Sequence, residues 1–227
     1  NLYCLWKSWN NQKNVPVIIG EKNRETIKVF IEKAKRESSK IFFAEDFLFN
    51  DLELGFKTNY QKKNIRTAFA AIQVLFESKI SPEIFRKGIF NIRQNTSFRG
   101  RWEKVSDKPL VIADVAHNEQ GFKEVIFEIN GIKSHKKIFV LGFVKDKPIE
   151  KIIKLFPKDG TYFFSSPKIS RGFSLEHLNS ILKKTDINYQ IFESMSEAYH
   201  KALKSASKED FIFVGGSNFT VSEILNP

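Results

Sequence analysis

From about residue 96 onward, short apolar runs alternate strictly with amphipathic ones, and this alternation constrains the fold more than any other feature of the chain. Leu110–Ala113, Ile138–Leu141, Thr161–Phe164, Tyr189–Phe192 and Phe211–Val214 are short runs dominated by β-branched and aromatic residues. Gln120–Ile129, Ile149–Phe156, Leu175–Leu182, Ser196–Ser205 and Val221–Leu225 follow them with apolar residues at helical spacing. Parallel strands need crossover connections, and those crossovers bury both faces of the sheet, so the strands read as continuous apolar runs. The reading is α/β: residues 96–227 form a complete Rossmann-like domain with a mostly parallel sheet.

Residues 1–95 are organised differently. Val15–Ile19 reads as a strand closed by Gly20, and Glu25–Arg36 as a helix. Lys40–Ala44 is a second short apolar run, and Leu48–Leu54 reads as an edge or antiparallel strand. Tyr60–Phe76 is a helix with Ile65, Ala68, Phe69, Ile72 and Phe76 on one face. Ser81-Pro82 opens another helix over Ile84–Ile92, Ser capping and Pro taking the first turn. The polar stretch Arg93–Arg101 reads as a linker. Two or three strands with three helices make a thin core, so this part reads as the end of another α/β domain.

Composition excludes several classes. The single cysteine, Cys4, permits neither an internal disulfide nor a cysteine zinc site. His135, His177 and His200 lack metal-ligand spacing. No apolar run spans a membrane and the first residues contain no signal peptide, so a cytoplasmic protein is expected. The net charge of +11 is spread over scattered lysines rather than blocks. It reads as a solvated basic surface, with a nucleic-acid footprint as the other reading.

The local features that can carry chemistry lie where strands end. Val111-Ile112-Ala113-Asp114 runs into Val115-Ala116-His117-Asn118 and a helix. Ligands of parallel sheets sit beyond the carboxyl ends of strands, where Asp114 and His117 would point, and Asn118 can cap a helix whose free N–H groups attract anions. The same residues could be no more than a strand end and a turn. Phe213-Val214-Gly215-Gly216-Ser217 repeats the strand-to-helix arrangement, with glycines that admit close approach and a serine donor. Lys147 after one strand and Arg171 after the next could neutralise a carboxylate or phosphate, or could be solvated loop charges. The phosphate-loop pattern G-x-x-x-x-G-K-[ST] occurs nowhere in the chain.

Taken in order, these pieces resemble the folylpolyglutamate synthase/dihydrofolate synthase branch of the Mur ligase superfamily. The order is Tyr60-Gln61-x-x-Asn64 on a helix, Gly100-Arg101, Asp114-Val115-Ala116-His117-Asn118, Gly142 to Asp146-Lys147, Arg171, and Gly216-Ser217 before a terminal helix. The resemblance implies a partial central ATPase domain over 1–95 and a Mur ligase C-terminal, glutamate ligase domain over 96–227. It implies ATP-dependent addition of L-glutamate to dihydropteroate or folate through an acyl phosphate, with ATP and Mg2+ as cofactors. The implied partners are small molecules, with no nucleic acid and no membrane, acting on a monomer. By the same resemblance Asn64 contacts the adenine, Arg101 the phosphates, and Asp114 the ribose and Arg101. His117 lies by the transferred phosphoryl group and the incoming glutamate, so His117 and Asp114 are the catalytic candidates. Lys147, Arg171 and Ser217 are candidates for the glutamate pocket, and no metal ligand is assigned within the chain. The non-enzymatic alternative is a module that binds a small anion or nucleic acid.

Three departures accompany the resemblance. Glu119 stands where the family has proline after His-Asn, which adds negative charge by an anion site, and Asn218-Phe219 replaces an apolar-aromatic pair. The family's Lys-Ala-Gly-Ile-Ile-Lys segment, with its carbamylated metal-holding lysine, is replaced by Trp6-Lys7-Ser8-Trp9-Asn10-Asn11-Gln12-Lys13. One coding choice for Trp6 to Gln12, read one base later, restores Gly-Lys-Ala-Gly-Ile-Ile-Lys. Residues 1–13 are therefore read as out of frame. With Asn1 rather than Met at its start, the chain is expected to be a fragment: a frameshift product, a pseudogene piece or a trimmed chain, inactive by itself.

Overall fold

The computed structural model describes residues 12–49, 58–145 and 148–226. Most of the segment read as out of frame, and Lys147, lie outside the described residues. The chain divides into two compact units at Ser97/Phe98.

In the first unit β1 (Val17–Ile19) pairs in parallel with β2 (Ile41–Phe43), Val17 opposite Ile41. The helix α1 (Ile27–Arg36) connects them and ends in Lys33, Lys35 and Arg36, which suit the negative end of its dipole. A short 3-10 turn, Ala44–Asp46, follows β2. Next come α2 (Asn59–Leu75), α3 (Pro82–Phe90) and α4 (Ile92–Thr96). Ser81 caps α3 as expected, its hydroxyl accepting from the Ile84 amide.

The core of this unit is small: Ile65 and Phe69 of α2 against Phe85 of α3. Three expectations are corrected. The buried face of α2 is Ile65, Phe69, Ala70 and Gln73, while Ala68 and Phe76 are exposed. Leu48 and Phe49 are not in a strand, and the remainder of that expected strand, beyond Phe49, lies outside the described residues. Phe49 turns inward instead, its ring 4.6 Å from Phe69 and 5.3 Å from Phe85, because aromatic packing was worth more than pairing. The expected linker begins as helix α4, since nothing in Ile92–Thr96 breaks a helix.

The second unit is a six-stranded sheet. Its strands are β3 (Glu103–Asp107), β4 (Leu110–Asp114), β5 (Lys137–Gly142), β6 (Thr161–Ser165), β7 (Asn188–Ile191) and β8 (Phe211–Gly215). Their order across the sheet is β3-β4-β8-β5-β6-β7, with every pair parallel except β3–β4. The helices are α5 (Glu119–Asn130), α6 (Ile149–Ile153), α7 (Leu175–Leu182), α8 (Met195–Ser205) and α9 (Asn218–Leu225).

Strand alternation divides the core into two layers. Ile112, Phe139, Leu141, Tyr162, Phe164, Phe211 and Phe213 pack against α5, α6 and α7 through Phe122, Ile129, Ile152 and Leu178. Val111, Ala113, Ile138, Val140, Phe163, Ile212 and Val214 pack against Met195, Ala198 and Ala202 of α8 and Val221 of α9. Phe139 stacks on Tyr162 at 4.8 Å, and Phe122 meets Phe156 edge-on at 5.4 Å. Each such buried side chain contributes about 1.5–3 kcal/mol relative to exposure. Asn118, Ser174, Ser194 and Ser217 start α5, α7, α8 and α9, each accepting the N–H three residues on.

Two features of this unit depart from expectation. The strand β3 has no apolar run, because it is an edge strand with Lys104 and Asp107 ion-paired on its surface. The expected helix Ile149–Phe156 is regular only to Ile153. Leu155 and Phe156 continue it as tighter turns, donating to the carbonyls of Ile152 and Ile153.

Candidate functional site

The crossovers α5, α6 and α7 cover one face of the sheet, and α8 returns the chain along the other to place β8 between β4 and β5. The carboxyl ends of β4, β8 and β5 therefore meet where the winding changes side, the position that favours ligands in open α/β sheets.

At the end of β4, Asp114 is buried at 3% exposure. Its Oδ2 accepts from the Trp102 amide at 2.7 Å, and its Oδ1 from the Ala116 amide at 2.8 Å. The Gly100 carbonyl accepts from the Val115 amide at 2.9 Å. Arg101 stands between these two tethered residues, and its guanidinium lies 5.6 Å over the Phe98 ring. Gly100 has φ +72°, and a Cβ there would meet Val115 and Val221 at 2.8 Å, so only glycine fits. Asp114 thus orders the loop that carries Arg101.

His117 is exposed and its Nδ1 lies 3.0 Å from the Val115 carbonyl. A carbonyl only accepts, so Nδ1 carries the proton and donates it, leaving Nε2 to face outward. Asn118 caps α5 through the Gly121 amide at 2.8 Å. Glu119 is paired with Lys123 at 2.7 Å. The hydrogen bond and charge of Lys123, with Lys151 further off, hold its carboxyl below the usual range despite slight desolvation. The negative charge that Glu119 brings to this helix start is thus balanced within the same helix.

The end of β8 is built for close packing. Gly216 has φ +107°, and a Cβ on it would lie 2.4 Å from the Gly142 carbonyl oxygen. Ser217, buried at 3% exposure, caps α9 through the Thr220 amide at 3.0 Å. Its hydroxyl also bonds the Thr220 hydroxyl, which donates to the Gly142 carbonyl. The Ser217 side chain thus ties α9 to the ends of β8 and β5.

The loops after β5 and β6 are joined. Val144 bridges Gly172, the Lys145 amide donates to the Arg171 carbonyl at 2.9 Å, and Lys145 Nζ donates to the Ser170 carbonyl. The Lys168 amide is held by Glu223 of α9. Arg171 is exposed on this joined rim.

Of the residues singled out in the sequence, Arg101, Asp114 and His117 come together at the end of β4. Ser217 lies at the end of β8 and Arg171 on the rim beyond β6. Lys147 lies outside the described residues. Asn64 is in the first unit, exposed on α2, next to Lys63, which pairs with Glu21 at 3.0 Å. Sequence reasoning missed Glu103, buried at 4% exposure, whose carboxylate accepts from the Gly100 amide at 2.8 Å and from Arg99 Nε at 2.7 Å. A glutamate opening a polar run carries no signal of burial.

The family model described as Mur ligase, glutamate ligase domain matches residues 100–218, more than half of the chain. The chain belongs to the Mur ligase family. The Mur ligase match opens on Gly100 and closes on Asn218, so it spans Arg101, Asp114, His117, Lys147, Arg171 and Ser217 and leaves Asn64 outside. Among its relatives is the dihydrofolate synthase/folylpolyglutamate synthase of Buchnera aphidicola subsp. Schizaphis graminum. It is 26% identical over 95% of this chain and 51% of its own length. The protein of the same name from Buchnera aphidicola subsp. Acyrthosiphon pisum is 34% identical over 71% of this chain and 39% of its own. The chain spans about half or less of these relatives. Among solved structures, Escherichia coli FolC in complex with DHPP and ADP matches at TM-score 0.78 and 23% identity, over 98% of this chain and 55% of that one. Mycobacterium tuberculosis folylpolyglutamate synthase complexed with ADP matches at 0.81 and 16%, over 95% and 55%. At these identities the structures share the fold.

The described residues fit the two ligands of such a ligase unequally. An arginine on a tethered loop and a capped helix start suit a nucleotide phosphate. Among the described residues, no three His, Cys, Asp or Glu side chains converge as a metal site requires. No helix among the described residues is long and apolar enough to cross a membrane.

Proposed function

We propose that this Mur ligase chain carries the glutamate ligase part of a folylpolyglutamate/dihydrofolate synthase, the ATP-dependent addition of L-glutamate to dihydropteroate or folate. The observation that carries the reading is the convergence of Arg101, Asp114 and His117 at one strand end, inside the matched residues 100–218. ATP supplies the activation of the acceptor carboxylate. Arg101 neutralises phosphate charge, and the tethers on its neighbours orient it before the ligand arrives. His117, with Nδ1 committed to the Val115 carbonyl, presents Nε2 to accept a proton from the attacking amine. Arg171, on the rim beyond β6, and Lys147 hold the carboxylates of the incoming glutamate. Ser217 acts by fixing α9 against the strand ends. The protein works as a cytoplasmic monomer on small molecules.

With no phosphate loop in the chain and no metal cluster among the described residues, the chain has no turnover by itself. The test is an ADP titration of the purified chain followed by amide NMR, beside a phosphate-release assay with folate and glutamate. Saturable shifts at residues 100–102 and 117–119, with no glutamate-dependent phosphate, are expected. Phosphate release would refute the inactivity. Undisturbed amides at saturating ADP, with salt-sensitive retention of single-stranded DNA, would overturn the ligase reading.

A further inference from the structure

We propose that Glu103 is a positioning residue for Arg101, acting from the far side of the loop that Asp114 holds. The inference rests on reading Arg101 as a phosphate contact.

Glu103 opens the edge strand β3, yet its carboxylate does not serve the β3–β4 hairpin. It reaches back to the Gly100 amide and to Arg99 Nε. Asp114, from β4, takes the Trp102 amide. The two buried carboxylates therefore grip the residues immediately before and after Arg101, one from each strand of the hairpin. The register brings them to the same level, since Glu103 stands opposite Ala113. The backbone they hold would not choose this path unaided: Gly100 and Trp102 have φ +72° and +47°. A tryptophan adopts the left-handed region only against a steric penalty. A buried carboxylate is itself costly to desolvate unless paired and hydrogen-bonded, and here both conditions are met by the loop it shapes. Arg99, 44% exposed beside a Glu103 side chain at 6%, is the partner that neutralises it.

The experiment compares the full chain with Glu103→Ala, Glu103→Gln, Arg101→Ala and the Ala double variant. Gln keeps an oxygen for the Gly100 amide and loses the charge. ADP affinity from amide shifts is expected to fall about tenfold in Glu103→Ala and in Arg101→Ala, to stay within about threefold in Glu103→Gln, and to fall no further in the double variant. A residue that served stability alone would lower the unfolding temperature without this non-additivity. Losses that multiply in the double variant, or wild-type affinity in Glu103→Ala, overturn the proposal. If the wild-type chain does not respond to ADP, the ligase reading fails on its own, and exchange of the Gly100 and Trp102 amides decides the positioning. A rise of about tenfold at both in Glu103→Ala but not in Glu103→Gln supports it, and unchanged exchange overturns it.

Discussion

Replacing Gly216 by alanine tests the packing on which the strand ends depend. The added Cβ would lie 2.4 Å from the Gly142 carbonyl oxygen and 3.0 and 3.1 Å from the carbonyl carbon and nitrogen of the same residue. These are backbone atoms of a central strand, so no side-chain rotation relieves the contact. The conformation at φ +107° adds a second penalty, because L-residues rarely adopt it. Strain of about 1–3 kcal/mol and overpacking of about 1–3 kcal/mol together give a loss of about 2–6 kcal/mol. For a unit of this size even the lower figure lowers the unfolding temperature by roughly 7 °C. Thermal and urea unfolding followed by far-UV circular dichroism measure it. Gly88→Ala is the matched control: nothing lies within 4 Å of its Cβ position in α3, so the same chemical change should stabilise by about 0.5–1 kcal/mol. If Gly216→Ala unfolds with the wild-type chain, the close approach of β8 and β5 is wrong.

Three further outcomes rest on the same contacts. Ser217→Ala should cost about 1 kcal/mol as a lost cap, while His117→Ala should leave the unfolding temperature within about 1 °C; equal losses in the two would contradict the buried role of Ser217. Asp210 is buried, which pushes its carboxyl up. Hydrogen bonds from Ser207 and from the Lys136 amide, with the charge of Lys136, outweigh that and hold it below the usual aspartate value. Because the folded value is depressed, its contribution is complete above about pH 4 and is lost as pH falls through the folded value. Asp210→Asn should therefore cost about 1–3 kcal/mol at neutral pH, and the gap from wild type should narrow below pH 4 in urea titrations; a gap independent of pH would refute the assignment. Thr220→Val removes the donor to the Gly142 carbonyl at nearly constant volume and should cost about 1–3 kcal/mol by the same urea titration, with a cost below about 0.5 kcal/mol counting against that bond.

The sequence by itself determined which segments of the second unit become strands and helices, β3 apart. Its four central strands are near-continuous apolar runs because both sheet faces are covered, and its helices other than α6 open on Ser or Asn caps. These are local periodicities, and local periodicity is what a linear reading detects. The placing of Asp114 and His117 at one edge of the sheet was legible too, since the carboxyl end of a strand delivers the next few residues there, whereas Arg101 reaches that edge only through the β3–β4 hairpin. The order β3-β4-β8-β5-β6-β7 was not legible, because it depends on which crossover passes over which face. Nor was the edge strand β3, whose polar residues are stabilised by pairing with β4 rather than by a core of their own. The inward turn of Phe49 was decided by partners on α2 and α3, and the burial of Glu103 by an arginine and an amide that its own fold back on the chain supplies. Burial of a charge is a property of the surroundings that neutralise it, and those surroundings exist only once hairpin register has brought Gly100, Glu103 and Asp114 together.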